Sequence, residues 1–123
     1  MSLGAFSTSL NVKDLAASIA FYKTLGFETF HDNSEHNYAI LKNGETLLGL
    51  FQGHIPANTL TFNPGWDNNA QNVDPFEDVR AIQKRLQDAG IKLEATCDPD
   101  TSGPAHIMVM DPDDNAILID QHR

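Results

Sequence analysis

The sequence predicts an α+β domain built from two consecutive β-α-β-β-β modules, about residues 4–55 and 56–123. Three observations predict it. Segments alternating with a period of two and segments with helical spacing follow one another in the same order twice. The ends of the two helical segments match, "TLGF" against "DAGI", and so do the closing strands, "LLGLFQ" against "AILIDQ". The 123 residues, 41% of them hydrophobic, suit one domain whose core needs no disulfide or structural metal. An internal duplication accounts for the first two, with its boundary near His54 to Ala57. It places Gly49 and Leu118 at equivalent positions in the two copies.

In the first module, "STSLNVKD" sets Leu10 and Val12 on one side of a strand and Ser7, Ser9 and Asn11 on the other. Asp14 has N-cap chemistry for the helix "LAASIAFYKTLG". Leu15, Ile19, Tyr22 and Leu25 form its apolar stripe, and Gly26 is its stop. "FETF" resumes an extended chain, "HDNSEHN" reads as a polar turn, and "YAIL" and "TLLGLFQ" are strands joined at "KNGE".

In the second module, "NTLTFN" alternates again, with Thr59, Thr61 and Asn63 opposite Leu60 and Phe62. A loop follows from about Pro64 to Val73. Asp74 and Pro75 have the chemistry to open a helix, with Glu77 and Asp78 in its first turn. Val79, Ile82 and Leu86 are the expected apolar stripe, and Gly90 the stop. "IKLEAT", the loop "CDPDTSGP" and the hairpin "HIMVMDPDDNAILIDQ" complete the module.

Charge and composition exclude several functions. Eight basic against 17 acidic residues give a net charge of −9, the wrong sign for nucleic acid or an anionic lipid surface. Neutral or cationic small molecules remain compatible. No apolar run approaches the roughly 20 residues of a membrane helix. Cys97 is the single cysteine, which rules out an internal disulfide and suits a reducing compartment. With no signal-peptide pattern at "MSLGAF", the expected location is the cytoplasm.

"NVKDLAASIAFYKTLGF" and "MDPDDN", together with the strand order, resemble the vicinal oxygen chelate superfamily, which includes glyoxalase I, bleomycin-resistance proteins and extradiol dioxygenases. The resemblance spans nearly the whole chain. It implies that each module curls into half of an open, cleft-lining barrel, often completed across a homodimer. It also implies a homodimer here. The fold hosts lyases, isomerases, dioxygenases and plain binders, so no one activity follows from it. The superfamily's enzymes place His, Gln or Glu metal ligands on the first and last strands of each module. Carried over by position, these fall on Ser7, on Gly49, on Ala57 (or Thr59 if the register shifts) and on Leu118. A divalent ion wants imidazole or carboxylate donors, which these residue types do not supply. The expectation is therefore a protein with no metal and no other cofactor.

The alternation assigns Ser7, Ser9, Asn11, Leu47, Phe51, Thr59, Thr61, Asn63, His106, Met108, Ala116 and Asp120 to the cleft side. The expected ligand-binding set is Ser7, Ser9, Asn11, Phe51, Thr59, Thr61, Asn63, Trp66, His106 and Met108. His106 is the candidate catalytic base, with simple satisfaction by a neighbouring carbonyl as the alternative. Trp66 either caps a pocket or anchors its loop, and Tyr38, Phe51 and Met108 are also read as core residues. "HDNSEH" offers metal-capable His31, Asp32, Glu35 and His36, but reads as an exposed turn. "DPDDN" fails as a calcium loop, because Ala116 and His122 stand where glycine and glutamate are required. Asp111 and Asp113 are better explained as turn formers. Cys97 beside Asp98 and Asp100 is a poor nucleophile. The leading reading is a metal-independent binder of a small organic molecule. The alternative is an enzyme of lyase, isomerase or dioxygenase type, using His106 or ligands placed elsewhere. A third is a protein whose dimer interface is its function.

Overall fold

A computed structural model describes residues 2–123. It contains eight strands and two α-helices in the order the two-module reading expects. These are β1 (Ala5–Asn11), α1 (Leu15–Thr24), β2 (Glu28–Asn33), β3 (Tyr38–Asn43) and β4 (Thr46–Phe51), then β5 (Thr59–Asn63), α2 (Val79–Asp88), β6 (Leu93–Ala95), β7 (Ala105–Met110) and β8 (Ala116–Gln121). The chain falls into two compact units, residues 7–59 and residues 60–123 with the N-terminal residues up to Phe6.

In the unit of residues 7–59 the strand order is β2-β3-β4-β1, with β1 parallel to β4 and the other pairs antiparallel. α1 covers one face of these strands. Leu15, Ala39, Leu41 and Leu50 form the buried core there, flanked by Leu10, Val12, Ile19, Tyr22 and Phe27. α1 begins where the Asp14 carboxylate accepts the Ala17 N–H at 3.1 Å, as its N-cap chemistry predicts. Leu25, expected as the fourth member of the stripe, instead caps the helix C-terminus and is 61% exposed. The helix ends at Thr24, so Leu25 no longer follows the spacing that would carry it inward. β2 runs on through His31, Asp32 and Asn33, although their polar composition predicts a turn. Only Ser34–His36 forms the tight helical turn.

In the second unit the order is β5-β8-β7-β6. α2 packs Val79 and Ile82 against Ile107 and Ile119, with Leu3, Phe62, Leu86 and Cys97 at the margin. α2 begins at Val79, later than expected, because Asp78 rather than Asp74 is the N-cap. The Asp78 carboxylate accepts the Arg80 N–H at 2.9 Å and also takes the Arg80 guanidinium and the Gln121 amide. Burial opposes ionisation of Asp78, but these donors outweigh it and hold its pKa below the ordinary carboxylate range.

The parallel between the two modules extends to side chains. Gln52 Oε1 accepts the N–H of Leu15, the first residue of α1, at 2.8 Å. Gln121 Oε1 accepts the N–H of Val79, the first residue of α2, at 2.7 Å. Gln52, just after β4, and Gln121, the last residue of β8, thus each satisfy an orphan donor at the start of their own module's helix.

Candidate functional site

Each unit has one sheet face under its helix and one face turned away from it. In the first, Ser9 pairs across β1 and β4 with Gly49, and Asn11 with Phe51. Across β4 and β3, Gly49 pairs with Ile40, and Phe51 with Tyr38. These residues alternate with Leu10, Ala39 and Leu50 of the core, so they occupy the opposite face. Ser7 is half-buried, Ser9 buried and Asn11 exposed. The Phe51 ring stacks on Tyr38 with centroids 5.4 Å apart and planes 15° apart. His54 meets both rings edge-on, at 5.8 and 6.2 Å. Tyr38, read from sequence as core, instead belongs to this aromatic cluster on the face away from α1. Thr59 is buried, and its hydroxyl is committed to the Ala57 carbonyl at 3.0 Å.

In the second unit, Phe62, Ile107 and Ile119 point under α2, so Thr61, Asn63, His106, Met108, Leu118 and Asp120 lie on the other face. His106 and Asp120 are direct cross-strand partners, as are Met108 and Leu118. His106 is exposed, and Met108, Thr61 and Asn63 are half-buried. The Asn63 side-chain oxygen Oδ1 is buried with no hydrogen-bond partner among the described residues, an acceptor with capacity for a donor.

One polar pairing on this face lies outside the residues expected from sequence. His122 Nε2 lies 3.1 Å from Asp120 Oδ2. The Trp66 ring lies 5.0 Å from the His122 ring, and its indole N–H donates to Asn72 Oδ1 at 3.1 Å. Trp66 is therefore held by its own loop and placed against a titratable group. The hydrogen bond to Asp120 raises the His122 pKa, with burial opposing it and the carboxylate charge adding to it. With Nε2 facing Asp120, Nδ1 is the ring nitrogen left to act on anything outside the pair. The available signal was the strand alternation, which continues from Asp120 to His122.

The competing motifs are turns and ties. Asp111 Oδ1 accepts the N–H groups of Asp113 and Asn115, both at 2.9 Å, and Oδ2 accepts the Asn115 amide. The Asn115 donors hold the Asp111 carboxyl below its usual range. Asp32 accepts from Ser34, while Glu35 and His36 are exposed neighbours. Cys97 is tied through its backbone N–H and C=O to the buried Gln83 side chain, at 2.8 and 2.9 Å. Among the described residues, no three His, Cys, Asp or Glu side chains form a group able to hold a metal ion. No described helix is long and apolar enough to cross a membrane.

Residues 4–119 match the family model of the Glyoxalase/Bleomycin resistance protein/Dioxygenase superfamily. The chain belongs to this superfamily. Solved structures agree on the fold. A superfamily member from Vibrio splendidus 12B01 is 17% identical over 94% of this chain and 97% of its own, with a TM-score of 0.64. A methylmalonyl-CoA epimerase in complex with methylmalonyl-CoA and NH4+ is 20% identical over 98% and 96%, with a TM-score of 0.61. An extradiol ring-cleaving dioxygenase from B. fuscum is 24% identical over 91% of this chain and 30% of its own, with a TM-score of 0.59. No curated protein sequence matches significantly.

The positions onto which the resemblance carries metal ligands supply no imidazole or carboxylate in this chain. A Cβ added to Gly49 would lie 2.6 Å from Phe51 Cε2 and 3.4 Å from Ile40 Cδ1, so the Phe51 ring fills the space a ligand side chain would cross. Ala57 and Leu118 have no donor atom, Ser7 offers a neutral hydroxyl, and the Thr59 hydroxyl is already used.

Proposed function

We propose that this superfamily member is a metal-independent small-molecule-binding protein, with its ligand held on a helix-free sheet face by apolar contacts and neutral polar groups. The observation that carries the reading is the Phe51 ring packed over Gly49, at the place of a metal-binding side chain. The buried, unpartnered Asn63 Oδ1 adds a hydrogen-bond acceptor, and Trp66 an aromatic wall. A net charge of −9 suits a neutral or cationic guest. The test is a thermal-shift screen of chelator-treated protein against neutral and cationic aromatic compounds. A ligand at 100 times its Kd adds about 2.7 kcal/mol of stability. Expected are hits that persist without metal and weaken when Trp66 or Asn63 becomes Ala. A flat screen, or hits that require a divalent ion, overturns the reading.

The Asp120–His122 pair favours a second reading, in which the bound molecule undergoes acid–base chemistry with His122 as the proton-transfer group in place of, or beside, His106. Asp120 both orients the imidazole and stabilises its cation. In an NMR titration His122 should deprotonate above the ordinary histidine range, and Asp120→Asn should bring the midpoint down. Because the folded pKa is raised, the pair stabilises the protein on the acid side. That contribution is lost as pH rises through the folded value. A His122 midpoint that Asp120→Asn leaves unmoved removes the basis for this reading.

A further inference from the structure

Trp66 sits on the long connection between β5 and α2, whose shape rests on turns and side-chain ties. The Val73 N–H donates to the Gly65 carbonyl at 2.8 Å, and the Asp67 carboxylate accepts the N–H groups of Asn69 and Gln71. These bonds close the loop on itself, and its direction is set by ties to the rest of its unit. At the tip, the Ala5 N–H donates to the Trp66 carbonyl at 2.9 Å and the Phe6 N–H to Asn68 Oδ1 at 3.1 Å. At the neck the tie is Arg123. Its Nη1 lies 3.3 Å from both the Gly65 and the Val73 carbonyl oxygens, and 3.1 Å from Asp74 Oδ1. The guanidinium carbon sits 4.6 Å from the centre of the Phe76 ring. Gly65 makes room for this side chain. Its φ is +94°, and a Cβ there would lie 2.8 Å from Arg123 Cδ and 3.2 Å from Phe76 Cδ2.

We propose that Arg123 is a positioning residue for the Trp66 wall, gripping both sides of the loop's neck so that the indole rests against His122 before any guest arrives. The proposal takes from the small-molecule reading only that Trp66 lines the site. The Asp74 carboxylate is 67% exposed, so that ion pair alone contributes little. The weight lies in one planar cation meeting two carbonyls and a ring at once, which a lysine does not reproduce. His122 and Arg123 follow β8 directly, so one short segment meets the loop at both its indole and its neck. A wall already in place spares the binding step the cost of ordering it, so Arg123 should act on affinity as well as on stability.

Trp66 is the single tryptophan, so its fluorescence reports this loop alone. A protonated imidazole against an indole quenches its emission. The charged and titratable groups around His122 are Asp120, bonded to it, Arg123, next to it, and His106, across the strands from Asp120. Emission of the ligand-free wild type should fall as pH drops through the His122 titration, and His122→Gln should abolish that fall. Arg123→Gln should flatten most of it, and weaken Trp66-dependent hits of the chelator-treated screen by about fivefold. Added to Trp66→Ala, the same change should weaken binding no further. Arg123→Lys should resemble Arg123→Gln more than wild type, and Asp74→Asn should have the smallest effect of the three. Lys84→Gln, an equal loss of charge on α2, should move neither readout. Circular dichroism confirms folding of each variant. A merely structural role would lower Tm and leave the quenching intact. Quenching that Arg123→Gln leaves unchanged, or a wild type without it, overturns the proposal. A screen without hits removes the small-molecule reading, and the fluorescence titration still decides whether Arg123 positions Trp66.

Discussion

Gln121→Ala should cost about 3 kcal/mol of stability and lower Tm by roughly 10 °C, read by thermal and urea unfolding. Gln121 is 1% exposed and makes four side-chain hydrogen bonds. Its oxygen accepts the Val79 N–H at 2.7 Å, and its amide donates to Asp78 Oδ2, to the Gly103 carbonyl and to the Arg123 carbonyl. Alanine strands a buried N–H at the first residue of α2, and removes a donor that helps keep Asp78 ionised as the N-cap. An unsatisfied buried polar group costs about 1–3 kcal/mol, and more than one is left here. Gln52→Ala, the same change in the other copy, should cost only about 1 kcal/mol. Gln52 is half-buried, and its bond to the Leu15 N–H is the contact at stake. Gln121→Glu separates the roles, because it keeps an acceptor for Val79 but turns a carboxylate toward Asp78 and two carbonyl oxygens. Its destabilisation should shrink as pH falls and the new carboxyl takes up a proton. Equal losses at positions 52 and 121 would contradict this account.

The element order was legible because two signals agreed: period and repetition. "LLGLFQ" against "AILIDQ" marked equivalent closing strands, and the structure adds why the last letter is shared, since each glutamine caps its own helix. The start of α2 was not legible. "DPFED" offers two aspartates with N-cap chemistry, and the choice of Asp78 rests on Gln121, which lies far along the chain. Short-range preference could not weigh that partner. The same limit applies to Tyr38, whose place is set by stacking on Phe51 of the adjoining strand. His122 was missed for another reason. Its place in the sequence suggests only a failed calcium loop, although it shares a face with Asp120 by plain alternation. Of the proposed ligand-binding residues, the structure places Thr61, Asn63, Trp66, His106 and Met108 in one compact unit and Ser7, Ser9, Asn11, Phe51 and Thr59 in the other. Their alternation away from the helices is what the sequence conveyed. Which of their polar atoms are already committed, as at Thr59, depends on turns that carry no periodic signal.

Gly49→Glu should destabilise the protein by about 3–5 kcal/mol and yield no stoichiometric divalent-ion binding, although it restores the superfamily's carboxylate at that position. Two costs add. The new Cβ would sit 2.6 Å from Phe51 Cε2, so the ring must leave its stack on Tyr38. Overpacking of this kind costs about 1–3 kcal/mol. Gly49 is also buried, so the carboxylate would enter with no cationic partner among its cross-strand neighbours Ser9 and Ile40. Gly49→Ala isolates the first cost and should lose about 1–2 kcal/mol. Phe51→Ala in the Gly49→Glu background should recover part of the loss, because it clears the space while leaving the buried charge. The coupling between the two changes, measured by a double-mutant cycle, is then the contribution of the ring. Lowering the pH should also recover stability in Gly49→Glu, since burial raises the new carboxyl's pKa and the protonated form is the tolerated one. If Gly49→Glu instead folds with wild-type stability and gains a tight divalent ion, Phe51 is no barrier, and the metal-independent reading falls.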